Sequence, residues 1–191
     1  MMKTNVYESV PIFENEDFLL RQVNKQQDAK DLLSVYSDRK AVPLFNSDNC
    51  HGDLFYYDTM EKMEKALDFW EFSYREKYFV RWAVVDKKCE CAIGTIELFH
   101  RDAADFFTDC GLLRLDLRSD YENEQTIETI LNLILPDTCE MFYCDKIATK
   151  ATALARDRRT ALIKLGFCAT NEKLAGQDGT RYGDYYVRHE G

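Results

Sequence analysis

The segment 110–142 carries the residues with the clearest chemical potential in this sequence. Leu113, Leu115 and Leu117 alternate with charged residues, and this period of two predicts a strand with one apolar face. A polar loop over 118–123 follows, and apolar residues then recur at helical spacing over 127–135. Such a loop presents free backbone N–H groups at a helix N-terminus, a geometry that binds phosphates and other anions. The first functional hypothesis is therefore an anion site at the start of this helix.

The bulk composition indicates a folded domain and argues against broad nucleic-acid binding and a membrane span. The chain has 191 residues, of which 46% are hydrophobic and 13% aromatic, so it can bury a core. We expect one domain over 1–191, with 1–17 as a loose lead-in. The net charge of −9 argues against broad nucleic-acid binding, because phosphate contacts need a basic surface. No window approaches 18 apolar residues, so we expect no membrane span.

The cysteines predict reduced thiols and no metal site. Their number, seven, is odd, and the N-terminus is mixed and acidic without an apolar signal core. These features predict a cytoplasmic protein whose thiols are free. Cys89 and Cys91 should point to one side of a hairpin, and His51 lies in a long polar loop. No further ligands stand at usable spacing, so we expect no metal.

The remaining patterns predict strands and helices around the central segment. A strand over 18–23 leads to a helix capped by Asn24, and Asp58 with Glu61 is expected to cap a second helix. Pro136 is expected to kink or break the long helix. Further strands are predicted over 79–85, 91–99, 145–150 and 182–188, the first two forming a hairpin. These elements indicate an α/β domain with a largely antiparallel sheet.

The order of elements resembles the GNAT superfamily of N-acetyltransferases, and two stretches of sequence do so as well. RWAVVDKKCECAIGTIELF, at 81–99, looks like the family's second and third strands. IKLGF, at 163–167, looks like the end of its last helix. The resemblance covers about 18–188 and is nearest to the ribosomal-protein alanine acetyltransferases. It implies a mixed, mostly antiparallel sheet of six to seven strands with helices on both faces.

The resemblance implies acetyl-CoA as the cofactor and a primary amine as the acceptor, which attacks the thioester directly. The family places the diphosphate on the loop before the long helix and the thioester where the strands flanking that helix part. A backbone N–H on the strand before the loop stabilises the oxyanion. Carried over position by position, cofactor contacts are expected from Leu115, Leu117, Arg118, Asn123, Glu124, Gln125, Thr126, Ala155 and Arg158.

Glu97 and Asp116 are the candidate bases, because the resemblance places both of their strands beside the cleft. A carboxylate that is partly buried there has a raised pKa and can accept the proton of the amine. Each residue also has a structural alternative. Glu97 is then an outward-facing strand residue, and Asp116 is an ion-pair partner of Arg114 or a capping group.

Two regions depart from the family pattern. The glycines of the family's loop align with Asn123 and Gln125. Asparagine tolerates a positive φ, but the Gln125 side chain stands where the backbone should meet phosphate. The Asn and Ser that face the cofactor on the family's last helix align with Ala155 and Arg158. The basic cluster of Arg156, Arg158 and Arg159 either replaces lost phosphate contacts or forms a solvated helix face.

Acidic residues also crowd the loop. Asp120, Glu122, Glu124 and Glu128 stand there against a single nearby basic residue, Arg118. One carboxylate roughly 6 Å from a phosphate charge costs about 2–3 kcal/mol at an effective dielectric constant near 20. We therefore expect acetyl-CoA binding to be weak or lost.

Two functions are consistent with this sequence. The first is an acetyltransferase acting on a primary amine, either a small molecule or a protein N-terminus. The second is a GNAT-like fold that no longer binds acetyl-CoA and serves as a binding or interaction module. Exposed strand edges in this fold often pair, which leaves a homodimer open.

Overall fold

An eight-stranded sheet runs through the protein. The computed structural model describes residues 5–190, and the sheet has the order β1-β2-β3-β4-β5-β6-β10-β7. The strands are β1 (Phe13–Glu14), β2 (Phe18–Gln22), β3 (Val80–Asp86), β4 (Cys91–Arg101), β5 (Cys110–Leu117), β6 (Lys146–Lys150), β7 (Cys168–Ala169) and β10 (Tyr185–His189). A separate hairpin pairs β8 (Leu174–Ala175) with β9 (Arg181–Tyr182). The eight strands exceed the expected six to seven because β1 adds a short edge strand.

Four helices cover the two faces of the sheet, as expected. They are α1 (Lys25–Tyr36), α2 (Met60–Arg75), α3 (Glu124–Phe142) and α4 (Arg156–Lys164). The alternating leucines of β5 pack under α3 and α4, in one cluster with Ile127 and Leu162. Helices α1 and α2 cover the opposite face, where Ala83 and Val85 of β3 join the core. Both faces of the central strands are therefore buried.

The parallel pair β5–β6 parts after a short stretch of pairing. Its register begins at Cys110 with Lys146 and ends at Leu113 with Thr149, within a sheet whose other described pairs are antiparallel. The predicted parting of these strands is confirmed. The remainder of β5, 114–117, therefore has an edge that faces a gap instead of a strand.

The N-terminal segment is not a loose lead-in over its described part, 5–17. The side chain of Val6 is buried in the core. The indole N–H of Trp82 donates to the carbonyl of Pro11 at 2.9 Å, and β1 pairs with β2. The expectation was wrong because these contacts are formed with distant residues, while a two-residue strand has no readable period. Residues 1–4 lie outside the described part.

Local signals were right for some helix ends and wrong for others. Asn24 caps α1, accepting from the amide of Gln27 at 3.0 Å. The cap of α2 is Thr59, which accepts from the amide of Lys62, and not Asp58 with Glu61. Helix α3 continues past Pro136 to Phe142, so the proline does not break it. Packing of the apolar residues that follow, including the buried Phe142, outweighs the lost backbone hydrogen bond.

The expectation that all seven cysteines are free thiols was wrong. Cys89 and Cys91 form a disulfide at the β3–β4 turn, with their Cα atoms 5.3 Å apart. The other five cysteines are free. The cytoplasmic location stays a prediction, and it loses the support of uniformly reduced thiols. No helix within 5–190 is long and apolar enough to cross a membrane.

Candidate active site

The loop between β5 and α3 delivers free amides to the helix start. Asn123 caps α3, and its Oδ1 accepts from the amide of Thr126 at 3.0 Å. With φ of −131°, Asn123 is extended, so it does not act as a left-handed substitute for glycine. The amides of Glu124 and Gln125 lie in the first helical turn, where N–H groups have no intrahelical partner. The side chain of Gln125 is exposed at this end of the helix.

The carboxylates around this loop are paired with more cations than Arg118 alone. Arg118 holds Asp120 at 2.7 Å. Lys164 of α4 forms ion pairs with Glu124 and Glu128. The expectation of an unbalanced acidic loop was therefore wrong, since residues 36 or more positions away supply the missing charge. Repulsion of an approaching phosphate is correspondingly smaller.

Arg158 supplies the remaining counter-charge, and it does so from inside the protein. Its Nε and Nη2 donate to the two carboxylate oxygens of Glu122, each at 2.7 Å. Its Nη1 donates to the carbonyl of Leu115 at 2.7 Å and to that of Leu44 at 3.3 Å. Arg158 is only 2% exposed, so the solvated-face interpretation was wrong for this residue.

The contact with Leu115 shows that the guanidinium of Arg158 lies in the gap between β5 and β6. The amide of Arg118 donates to Ile93 of β4, so the alternate positions Leu115 and Leu117 turn their backbone groups to the other edge of β5. That edge faces the gap beyond Leu113. The carbonyl of Leu115 thus has no partner on a neighbouring strand, and it accepts a hydrogen bond from Arg158 instead.

The two candidate bases lie on the opposite face of the sheet, both fully buried. Glu97 accepts from Nη1 of Arg114 at 2.6 Å and also binds Arg81. Asp116 accepts through Oδ2 from the hydroxyl of Tyr36 at 2.7 Å. Glu97 is therefore not an outward-facing residue. The ion-pair partner of Asp116 is Arg81, at 3.4 Å, and not Arg114.

The environments of the two carboxyls move their pKa values in opposite directions. Burial opposes ionisation of Glu97, but attraction to Arg81 and Arg114 outweighs it and holds the pKa below its ordinary value. Burial raises the pKa of Asp116, and Arg81 offsets this effect only in part. Within the described residues, Oδ1 of Asp116 is buried without a hydrogen-bond partner. Asp116 thus has one acceptor oxygen without a partner, whereas both oxygens of Glu97 already accept from arginines.

Three polar residues that sequence reasoning missed complete this buried layer. Nη1 of Arg81 donates to the hydroxyls of Tyr36 at 3.0 Å and Thr95 at 2.9 Å, and its guanidinium lies 4.0 Å from the ring centre of Trp70. A signal was present in the sequence. Charged and hydroxyl residues interrupt strands that otherwise consist of apolar residues, which is costly unless the polar groups meet.

A cavity of about 500 Å³ opens on the same face of the sheet. Its lining includes Arg114 and Leu112 of β5, Phe99 of β4 and Tyr185 of β10. Asp105 supports its wall by accepting from Arg101 at 2.6 and 2.8 Å and from the backbone amide of Ala175 at 2.9 Å. The cavity therefore connects the ends of three strands and the β8–β9 hairpin. Among the described residues, no group of three or more acidic, histidine or cysteine side chains could hold a metal ion.

Replacing Asp105 by asparagine is expected to lower the free energy of unfolding by about 2 kcal/mol at neutral pH. Hydrogen bonds from Arg101 lower the pKa of Asp105 to about 2, so this stabilisation is present above the ordinary pKa and is lost as the pH falls towards 2. The difference between D105N and wild type should therefore shrink in acid. Urea unfolding at neutral pH and at about pH 3 measures it. D102N, which changes a nearby exposed carboxylate bound to Thr108, should differ little from wild type at either pH.

A mixed sheet with one parallel pair that parts beside the N-terminus of a long helix defines the fold of the GNAT N-acetyltransferases. The chain is similar to a GCN5-related N-acetyltransferase from Brucella melitensis, with a TM-score of 0.69, 15% identity, and coverage of 94% of this chain and 78% of that one. It is also similar to a ribosomal-protein alanine acetyltransferase from Vibrio fischeri, with a TM-score of 0.63, 16% identity, and coverage of 94% and 96%.

A third solved structure with this fold contains ligands. It is a spermidine N-acetyltransferase from Vibrio cholerae in complex with CoA and spermine, with a TM-score of 0.63, 14% identity, and coverage of 91% of this chain and 94% of that one. No family model and no curated protein sequence matches the chain. The likeness therefore establishes the GNAT fold, which the family resemblance implied.

Proposed function

We propose that this protein is an acetyl-CoA-dependent N-acetyltransferase that acts on a primary amine. The observation that carries the proposal is the parting of β5 from β6 directly beside the free amides of α3. An unpaired strand edge and a helix N-terminus suit the two ends of acetyl-CoA. The edge can hydrogen-bond the amide-containing arm, and the helix start binds phosphate. The neighbour that holds CoA has the same fold.

The proposed cofactor contacts are mainly backbone groups. Amides of Glu124 and Gln125 would face the diphosphate, with Arg118 nearby as a cation, and backbone groups of Leu115 and Leu117 would face the arm. The amide of Thr126 already donates to Asn123 Oδ1, so this residue would contribute through the helix cap. Asn123 contributes by capping the helix. Ala155, the residue before α4, is buried and adds no polar side chain. When bound, acetyl-CoA supplies an activated acetyl group on a thioester.

Asp116 is the better of the two proposed bases. It lies between the two leucines of the proposed cofactor edge, its pKa is raised by burial, and Oδ1 is free to accept a proton. Glu97 is held by two arginines, so protonating it would break both ion pairs. The proposed acceptor site is the cavity beside Arg114, on the sheet face that Asp116 shares. Both a small amine and a protein N-terminus remain candidates for it.

The second candidate function is a non-catalytic interaction module. The observation that favours it is the position of Arg158, whose guanidinium occupies the Leu115 carbonyl on the edge that the cofactor would use. Gln125 adds to this, because a side chain has replaced the loop glycine of the family. A module of this kind needs no open gap between β5 and β6, because it binds no cofactor there.

Calorimetry with acetyl-CoA, followed by an assay for CoA release, separates the two functions. We expect weak binding, with CoA released in the presence of polyamines or of peptides with a free N-terminal amine. Titrations at low and high salt add a second test, since affinity that falls with salt indicates phosphate held by cations. A folded protein that binds no acetyl-CoA at either salt concentration is the result expected of the interaction module.

A further inference from the structure

Arg158 joins four parts of the protein in one buried cluster of polar contacts. Its guanidinium, carried by α4, contacts Glu122 of the β5–α3 loop, Leu115 of β5 and Leu44 of the connection between α1 and α2. The side chain of Glu122 is 7% exposed and that of Arg158 is 2% exposed. A surface ion pair contributes little and rearranges freely, whereas a buried bidentate pair fixes both side chains. The cluster therefore has one defined closed arrangement.

The closed arrangement competes with the proposed cofactor at two points. Nη1 of Arg158 donates to the Leu115 carbonyl, which belongs to the strand edge proposed to bind the amide-containing arm of acetyl-CoA. Glu122 directly precedes Asn123, the N-cap of the helix whose first amides are proposed to bind the diphosphate. A diphosphate bound there would lie within the reach of the same guanidinium.

We propose that the Arg158–Glu122 pair is a latch that closes the cofactor cleft, and that the diphosphate of acyl-CoA opens it by replacing Glu122 on Arg158. This inference rests on the proposed function and adds a regulated entry step to it. Phosphate and carboxylate both match the planar fork of a guanidinium, so the exchange trades one bidentate partner for another. Withdrawal of Arg158 from Leu115 then frees the strand edge for the arm.

A latch lowers the apparent affinity of the cofactor by the fraction of molecules that are open. Removing the charge of Glu122 leaves Arg158 buried without its carboxylate, an arrangement that is strongly destabilised relative to a solvated side chain. The open fraction then rises. Affinity for CoA should increase even though the variant gains no contact with it.

The test compares E122Q with a matched variant of the same loop, D120N. Both remove one negative charge, but Asp120 pairs with Arg118 at the surface and does not touch Arg158. By calorimetry with CoA, E122Q should bind about tenfold more tightly than wild type, while D120N should gain at most about threefold from reduced repulsion. Equal gains in the two variants would overturn the latch and attribute the effect to charge alone.

E122D provides a second variant with the loop charge unchanged. Its shorter carboxylate cannot keep both bonds to Arg158 at 2.7 Å, so its affinity for CoA should fall between those of wild type and E122Q. Wild type that binds CoA as tightly as all three variants overturns the latch and leaves the proposed function standing. Absence of CoA binding in every folded variant overturns both proposals.

Discussion

Replacing Arg81 by methionine is expected to lower the free energy of unfolding by about 3–5 kcal/mol at neutral pH. Arg81 is the buried cation between Glu97 and Asp116, and it also donates to the hydroxyls of Tyr36 and Thr95. Methionine matches much of its volume, so the loss comes mainly from carboxylates left without their cation in a buried site. Urea unfolding followed by tryptophan fluorescence measures the change.

Acidification should reduce that loss. In wild type, the lowered pKa of Glu97 means that its stabilisation is present above the pKa of the unfolded chain and is lost as the pH falls through the folded value. Without Arg81 the pKa of Glu97 rises, and that of Asp116, which burial already raises in wild type, rises further. The folded variant then binds protons that the unfolded chain does not bind, so its relative stability increases towards about pH 5.

The control is K65M, which removes a lysine from an exposed pair. Lys65 lies 2.7 Å from Glu61, and both side chains are more than 70% exposed. We expect a change of less than about 0.5 kcal/mol, because solvent and salt screen such pairs. An R81M variant as stable as K65M would mean that Glu97 and Asp116 are solvated in solution and that the buried polar layer around Arg81 does not form.

Elements with a strong local pattern could be predicted from the sequence. The strand β5, its polar loop and helix α3 have clear periods of two and 3.6, and the hairpin of β3 with β4 is a short local connection. The parting of β5 from β6 then followed from the intervening loop and helix. Cap residues were less secure, since Thr59 and Asp58 are adjacent and both suit an N-cap.

The side-chain partners of the site could not be predicted, because they are distant in sequence. Tyr36 meets Asp116 across 80 residues, and Arg158 meets Glu122 across 36. Aligning Arg158 with a family position drew attention to this residue, but it did not give the direction of its side chain. Whether the Arg158 side chain faces solvent, phosphate or a strand carbonyl depends on how α4 packs against β5. The spacing of residues in the local sequence does not determine this packing.

Replacing Asp116 by asparagine is expected to lower kcat for acetyl transfer by about 10²–10⁴-fold, because Asp116 is the proposed proton acceptor. Asparagine keeps an acceptor for the Tyr36 hydroxyl but cannot take a proton from the amine. The Kd for acetyl-CoA should change little, because the proposed cofactor contacts are backbone groups of the other strand edge and of α3. Steady-state kinetics with calorimetry of acetyl-CoA binding separates the two quantities.

The matched control for D116N is E97Q, which neutralises the other buried carboxylate of this layer. E97Q breaks the ion pairs with Arg81 and Arg114, so it should cost stability while lowering kcat by less than about tenfold. Y36F offers an independent test of Asp116, since the Tyr36 hydroxyl donates to its carboxylate and lowers its pKa. Loss of that hydrogen bond should raise the pKa and move the acid limb of the pH–rate profile to higher pH. If D116N retained full kcat, or Y36F left the acid limb in place, the proton would have to leave by another group.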